Sequence, residues 1–534
     1  MRGNRLKRAP KSAQRAPARP YHRPNFYFLR DKPVRQPVVP TEPALTFDVH
    51  DNVCLGWKPD ELGSSDPLQR DEVLGARLEP PGATAGPARE LVMGLDFGTS
   101  STKVVIADRT MNAAYAVPFM DSVGVASYLL PSALLETAEG VYALAGSGKR
   151  LADLKLAMLS ALSDERACAR GCAFLALTIR QARAWLYESK GDQYLRADIL
   201  WTLAIGQPAD QAASEHHRRH FEQLAKVAWQ LAGSQGSIGV ETALNAWSLR
   251  AELNLDDELE VRPMAELSAQ IHGFVSSSHF DARLPNIYLL VDVGAGTVDA
   301  SLFHVRKDRG GTVSFDFFTH AVELLGAANL NRARLAWWLA QLRYVQGQLE
   351  PGSDQVAKRI GTTVAELESM KLPTEFRGRY PDSYRSYVKG VEVGFEGGAK
   401  NPDEDFYQRV RNQVAGKVLY GAWKQMLLTQ EAVRGMPFFL CGGGGRHPFY
   451  AALKTRLQKT DGCTWLNAKP RELALPTNIS APGVAHGDYD RLSVAYGLSQ
   501  LNPGTFERVV ALKPRVFASE ETDWNTVTVD KSVC

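Results

Sequence analysis

LVMGLDFGTSSTKVVIAD (91–108) is the stretch on which the reading of this chain turns. An apolar run reaches an acid at Asp96, reverses at Gly98, and a second apolar run follows from Thr102. Two such runs around a glycine turn read as a strand pair. Glycine lets the backbone turn sharply, so that consecutive N–H groups converge on one concavity and form a nest for phosphate oxygens. Thr99, Ser100 and Ser101 add hydroxyl donors, which makes Gly98 through Ser101 candidate phosphate ligands. Asp96 is placed to hold hydrated magnesium, an ion that takes few carboxylates and keeps several waters.

The same device returns in IYLLVDVGAGTVDASLFHV (287–305). Gly294, Ala295 and Gly296 leave little bulk between backbone and a phosphate, and Thr297 is placed to bond a terminal one. Asp292 and Asp299 flank the turn; one suits metal-bound water and the other the orientation of an attacking water. Two Asp-x-Gly steps at Asp96 and Asp292 indicate two halves of related construction rather than a short-period solenoid. A third glycine turn, CGGGGR (441–446), follows a strand-like PFFL and precedes a helical pattern. Gly442, Gly443 and Gly444 allow a flat ring to approach, and Arg446 can stack on it through its guanidinium plane. AGSGKR (145–150) is a decoy: a P-loop needs glycine where Ala143 stands and Ser or Thr where Arg150 stands.

The rest of the chain is consistent with a globular protein of 534 residues, 44% hydrophobic and 23% charged, long enough for two cores. Helices are expected over 152–162, 216–232, 330–345 and 492–501, and a buried strand over 195–206. No run approaches the roughly 18 apolar residues of a membrane span, and the start lacks a secretory signal, so a cytoplasmic location without membrane contact is expected. The six cysteines lack the spacing of a four-ligand zinc site. Net charge is +3, but residues 1–40 hold eleven Lys or Arg and one acid. Eight prolines between Pro10 and Pro43, and PPGATAGP (80–87), make residues 1–90 an expected basic, extended or disordered arm. Such an arm suits an acidic protein partner or nucleic acid, with Tyr21, Tyr27 and Phe28 as anchors.

In order and spacing, the three glycine turns resemble those of the actin-like ATPase superfamily. The resemblance is strongest to the nucleotide-binding domain of the seventy-kilodalton heat-shock (DnaK-like) chaperones. LDFGTSST is similar to that family's first phosphate loop, DVGAGTVDASL to its second, LCGGGGRHP to its adenosine loop and SVAYGLS (493–499) to its closing helix. Looser similarity covers LPSALLETAEGVYALAG (130–146), DLKLAMLS (153–160), AELSAQIHGFV (265–275) and LLGAANLNRAR (324–334). The resemblance implies an α/β, two-lobed fold of duplicated ribonuclease-H-like domains with a nucleotide cleft between them. Lobe I would take 91–285, completed by about 480–502, lobe II 286–479, and a short tail 503–534. It implies ATP or ADP with Mg2+ as ligands, Asp96 and Asp292 holding the metal through water, and Thr99 and Ser100 on the outer phosphates. Lys155 would neutralise transition-state charge, Glu266 and Asp299 would position the attacking water, and Gly442, Gly443 and Arg446 would hold adenosine. Ala295 stands where the family has glycine, Leu267 where it has proline, and Gly444 where it has serine, so slow hydrolysis or an altered nucleotide preference is expected.

Only about 30 residues follow the closing helix, too few for a peptide-binding domain. The expected function is therefore a nucleotide-driven conformational switch for an unidentified protein partner, not peptide chaperoning. An ATP-dependent actin-like filament and a small-molecule kinase of the sugar type are the alternatives, since DFGTSSTK also resembles the first loop of carbohydrate kinases.

Overall fold

The structure, a computed structural model, describes residues 45–500 apart from 60–65, 78–86, 209–214, 256–258, 278–279, 308–312, 351, 371, 373–377, 397–398 and 460–462. The fold is mixed α/β. Its first large sheet begins with the antiparallel hairpin Ala88–Phe97 and Ser101–Asp108, and Ala113–Ala116 continues the meander. Asp198–Gln207 and then Leu259–Ala265 add to the other side of Ala88–Phe97, both parallel to it. Leu130–Pro131 and Ile479–Ser480 bring this sheet to seven strands. The second large sheet repeats the plan. Ile287–Val293, Val298–Lys307 and Val313–Glu323 form the meander, and Pro437–Cys441 and Lys469–Arg471 add in parallel to the first strand. Counted within each sheet, the five principal strands run 3-2-1-4-5 in both.

Burial on both faces explains the near-continuous apolar runs of the leading strands. Leu289, Val291 and Val293 face one cluster, with Phe406, Val410, Val414 and Tyr450, while Tyr288 and Leu290 face another. That second cluster also holds Val105 and Ala107 of the first sheet, so it is a shared central layer. Helices Glu266–Val275 and Ser493–Ser499 contribute to it through Ile271 and Tyr496. Gly497 lets the two helices touch, because a Cβ there would overlap the backbone carbonyl of Ala269. On the far face of the first sheet, Leu91, Met93, Leu95 and Phe97 pack with helices Glu165–Ser189 and Glu215–Gly233. Among the described residues, no helix is long and apolar enough to cross a membrane.

The expected arm does not reach residue 90. Leu45–Leu55 is a strand, paired antiparallel with Val388–Phe395, and the Gly56 amide donates to the Tyr387 carbonyl at 2.8 Å. The reason is alternation: Phe47, Val49, Val53 and Leu55 turn onto a satellite core with Trp338, Leu342 and Tyr387, and the dense prolines end at Pro43. Helix Glu72–Ala76 lies instead on Glu165–Ser189, fastened by Arg70 to Glu188 at 3.1 Å and Arg180 to Glu72 at 3.5 Å. Ala88–Phe97 then starts the first sheet three residues ahead of the expected boundary. Residues 1–44 with Tyr21, Tyr27 and Phe28, most of the 80–87 stretch, and the 503–534 tail lie outside the described residues.

Candidate functional site

Every residue expected to carry chemistry lines one cleft of about 650 Å³, a volume that suits a small-molecule ligand. Asp96 and Gly98 to Ser101 come from the first hairpin, and Asp292, Gly294 to Thr297 and Asp299 from the second. Gly442, Gly443, Gly444 and Arg446 come from the turn after Pro437–Cys441, Lys155 from helix Leu154–Ser160, and Glu266 from the first turn of Glu266–Val275.

Both hairpin turns are held by their carbonyls. Ser132 donates its amide to the Ser100 carbonyl at 3.1 Å and its hydroxyl to the Gly98 carbonyl at 2.6 Å. In the second turn the carbonyls of Gly294, Ala295 and Gly296 accept from the amides of Ala327, Ala328 and Gly326 at 3.1, 2.9 and 3.1 Å. The Asn329 side chain also donates to the Gly296 carbonyl, at 2.7 Å. The otherwise orphan first amides of helix Ala327–Gln348 are satisfied in this way. Across a trans peptide, a carbonyl and the next N–H point to opposite sides. The amides of Ala295, Gly296 and Thr297 therefore face away from the helix, on residues that line the cleft, and those of Thr99 and Ser101 face away from Ser132. Both hairpins thus turn backbone amides away from their anchors, the arrangement that a nest for anions needs, and the two anchors are unrelated.

Charge is concentrated here. Lys103 Nζ donates to Asp96 Oδ2 at 3.0 Å. Lys155, only 4% exposed, forms an ion pair with Glu266. Burial works against the Lys155 charge, but Glu266, Asp96 and Asp299 together outweigh it and hold the pKa above the ordinary lysine value. Glu266 stands at a helix N-terminus, where the macrodipole favours a carboxylate. Asp292 accepts from Gln270 Nε2 at 3.0 Å. Burial first, then the charges of Asp490 and Asp96, push its pKa up from 3.8 to about 6, against the pull of Gln270 and Lys103. Asp490 is likewise raised by burial, offset by Arg446 and Arg491.

Gly442 has φ +80, and a Cβ there would overlap the Asp292 carboxylate, so the glycine turn lies directly against the second acidic hairpin. Arg446 is engaged by Asp490, by Asp488 at 3.3 Å and by the Gly487 carbonyl at 2.6 Å, which fixes its guanidinium at the cleft wall. Among the described residues, no group of three or more His, Cys, Asp or Glu is arranged to ligate a metal directly. Asp96 and Asp292 line the same cleft, and Asp292 has no ion-pair partner among the described residues, which fits a cation held through its waters.

Sequence reasoning missed Lys103, Ser132, Gln270, Asp490 and Arg491. Lys103 and Ser132 stand inside motifs given above, and cross-strand pairing in the hairpin, which sets Asp96 opposite Lys103, is the signal for Lys103. Gln270 lies one helical turn after Glu266, which is the signal that was available. Asp490 and Arg491 precede the closing helix with no local pattern to mark them. The fold and site thus define an α/β protein with a charged, glycine-lined cleft between two sheets of like strand order. No protein-family model matches the chain, and no curated protein matches it.

Proposed function

We propose that the chain is a Mg-ATP-binding, slowly hydrolysing ATPase of the two-lobed actin-like kind, working as a nucleotide-dependent conformational switch for a protein partner. One observation carries this reading: turns at 96–101, 292–299 and 442–446, with Lys155 and Glu266, converge on one cleft between sheets of the same strand order. The two nests would take the outer phosphates, and the 442–446 turn with Arg446 the adenosine. Asp96 and Asp292 would hold magnesium through its waters; when bound, the ion supplies charge neutralisation at the phosphates. Glu266 and Asp299 would orient water, and buried Lys155 would stabilise charge as it develops, since phosphoryl transfer depends mainly on positioning and electrostatics.

The departure at Leu267 is accommodated, because Glu266 reaches Lys155 from the first helical turn without a proline. The test is calorimetry of ATP and ADP with Mg2+ on the pure folded chain, followed by phosphate release without added sugar. Micromolar-range binding with slow release is expected. Absence of adenine-nucleotide affinity overturns the reading, and release that depends on an added sugar replaces the switch with a kinase.

A further inference from the structure

The cations of the cleft pair off almost completely. Lys103 takes Asp96, Lys155 takes Glu266, and Arg446 takes Asp490 and Asp488. Arg491 is the exception: among the described residues no carboxylate lies within ion-pair distance of it, although Asp490, Asp292 and Asp96 act on it from further away. Its guanidinium sits beneath the glycine turn. A Cβ built on Gly443 would stand 2.7 Å from Arg491 Nη1 and 2.9 Å from Cζ. Arg491 lines the cleft between that turn and the two acidic hairpins, and it is half-buried there.

A guanidinium carries five N–H donors in a planar fork, and holding one without acceptors in a low-dielectric site is costly. Phosphate oxygens match that fork and are the acceptors such a group accommodates best. Position selects which phosphate. The glycine turn is the candidate adenosine site and the hairpins take the outer phosphates, so a side chain between them meets the phosphate attached to the sugar. Resting on the nucleotide reading above, we propose that Arg491 grips this innermost phosphate and is a specificity residue for nucleotides over nucleosides. Because that phosphate survives hydrolysis, Arg491 holds ATP, ADP and AMP alike, and its contact with AMP needs no metal.

The experiment is calorimetry on the full chain with ATP, ADP, AMP and adenosine, with Mg2+ and with EDTA, for wild type, Arg491→Gln and Arg491→Lys. Arg491→Gln is expected to weaken all three nucleotides by about 10- to 100-fold, the scale of hydrogen bonds to charged groups, and to leave adenosine unchanged. Arg491→Lys, which keeps charge but loses the fork, falls between. AMP affinity in EDTA persists in wild type and is lost in Arg491→Gln. Unchanged nucleotide affinity in either folded variant overturns the proposal, as does an equal loss for adenosine, which would make Arg491 a structural prop. Wild type that binds no adenine nucleotide overturns the nucleotide reading itself, a result distinct from the other two.

Discussion

Asp292 is held in the cleft at a cost. Its folded carboxyl keeps a proton up to about pH 6, whereas the ordinary value is 3.8. The folded state therefore binds more protons than the unfolded one across that window, and stability of the ligand-free protein falls as pH rises through it. Asp292→Asn is expected to flatten this fall and to stabilise the ligand-free protein at neutral pH, read by urea unfolding at pH 4 to 8. The same substitution should weaken magnesium-dependent ATP binding. In wild type that binding should strengthen as pH rises through about 6, because on the proposed reading the ionised carboxylate is the form that would hold the metal. Equal pH profiles for wild type and variant would remove Asp292 from the metal site. Lys155→Ala and Asp299→Asn are expected to lower single-turnover phosphate release by on the order of 10²–10³-fold, while ATP affinity changes only a few-fold. A variant that loses affinity and turnover together would place its residue in binding instead.

Among elements, helix Ala327–Gln348 does two jobs. Its first amides hold the second nest, and further along Arg334, fully buried, pairs with Asp403 and donates to the carbonyls of Pro381, at 2.6 Å, and Asp382, at 3.1 Å. Arg334→Ala takes from Asp403 its paired cation and from each carbonyl one donor, and is expected to cost about 3–5 kcal/mol, measured by denaturant unfolding. His447, which follows the glycine turn, contacts the same Pro381 carbonyl at 2.9 Å, so ATP affinity should fall in this variant as well. The hairpins and this helix were legible in the sequence because apolar period and glycine position encode them locally. The pairing of Leu45–Leu55 with Val388–Phe395 was not, since nothing in an alternating strand names a partner more than 300 residues away. The hairpin and glycine-turn residues that line the cleft were readable from turn chemistry, whereas Lys155 and Glu266, both on helices, were indicated only by the family resemblance. The ion pair between these two was not legible, for they meet only when two helices from separate stretches converge.

At the scale of the molecule, a ligand that binds only the folded cleft must stabilise it by mass action. ATP with Mg2+ at a hundred times its dissociation constant should add about 2.7 kcal/mol, seen as a raised melting temperature that ATP without metal reproduces only in part. The route of the backbone adds a mechanical condition. The chain leaves the satellite core after Gly56 and is fastened to the first sheet's helices by Arg70 and Glu72. It passes to the second sheet between Val275 and Ile287, and back again between Arg471 and Ile479. Under the proposed switch, any change in the width of the cleft would have to be taken up where the backbone crosses between the sheets, at Val275–Ile287 and at Arg471–Ile479.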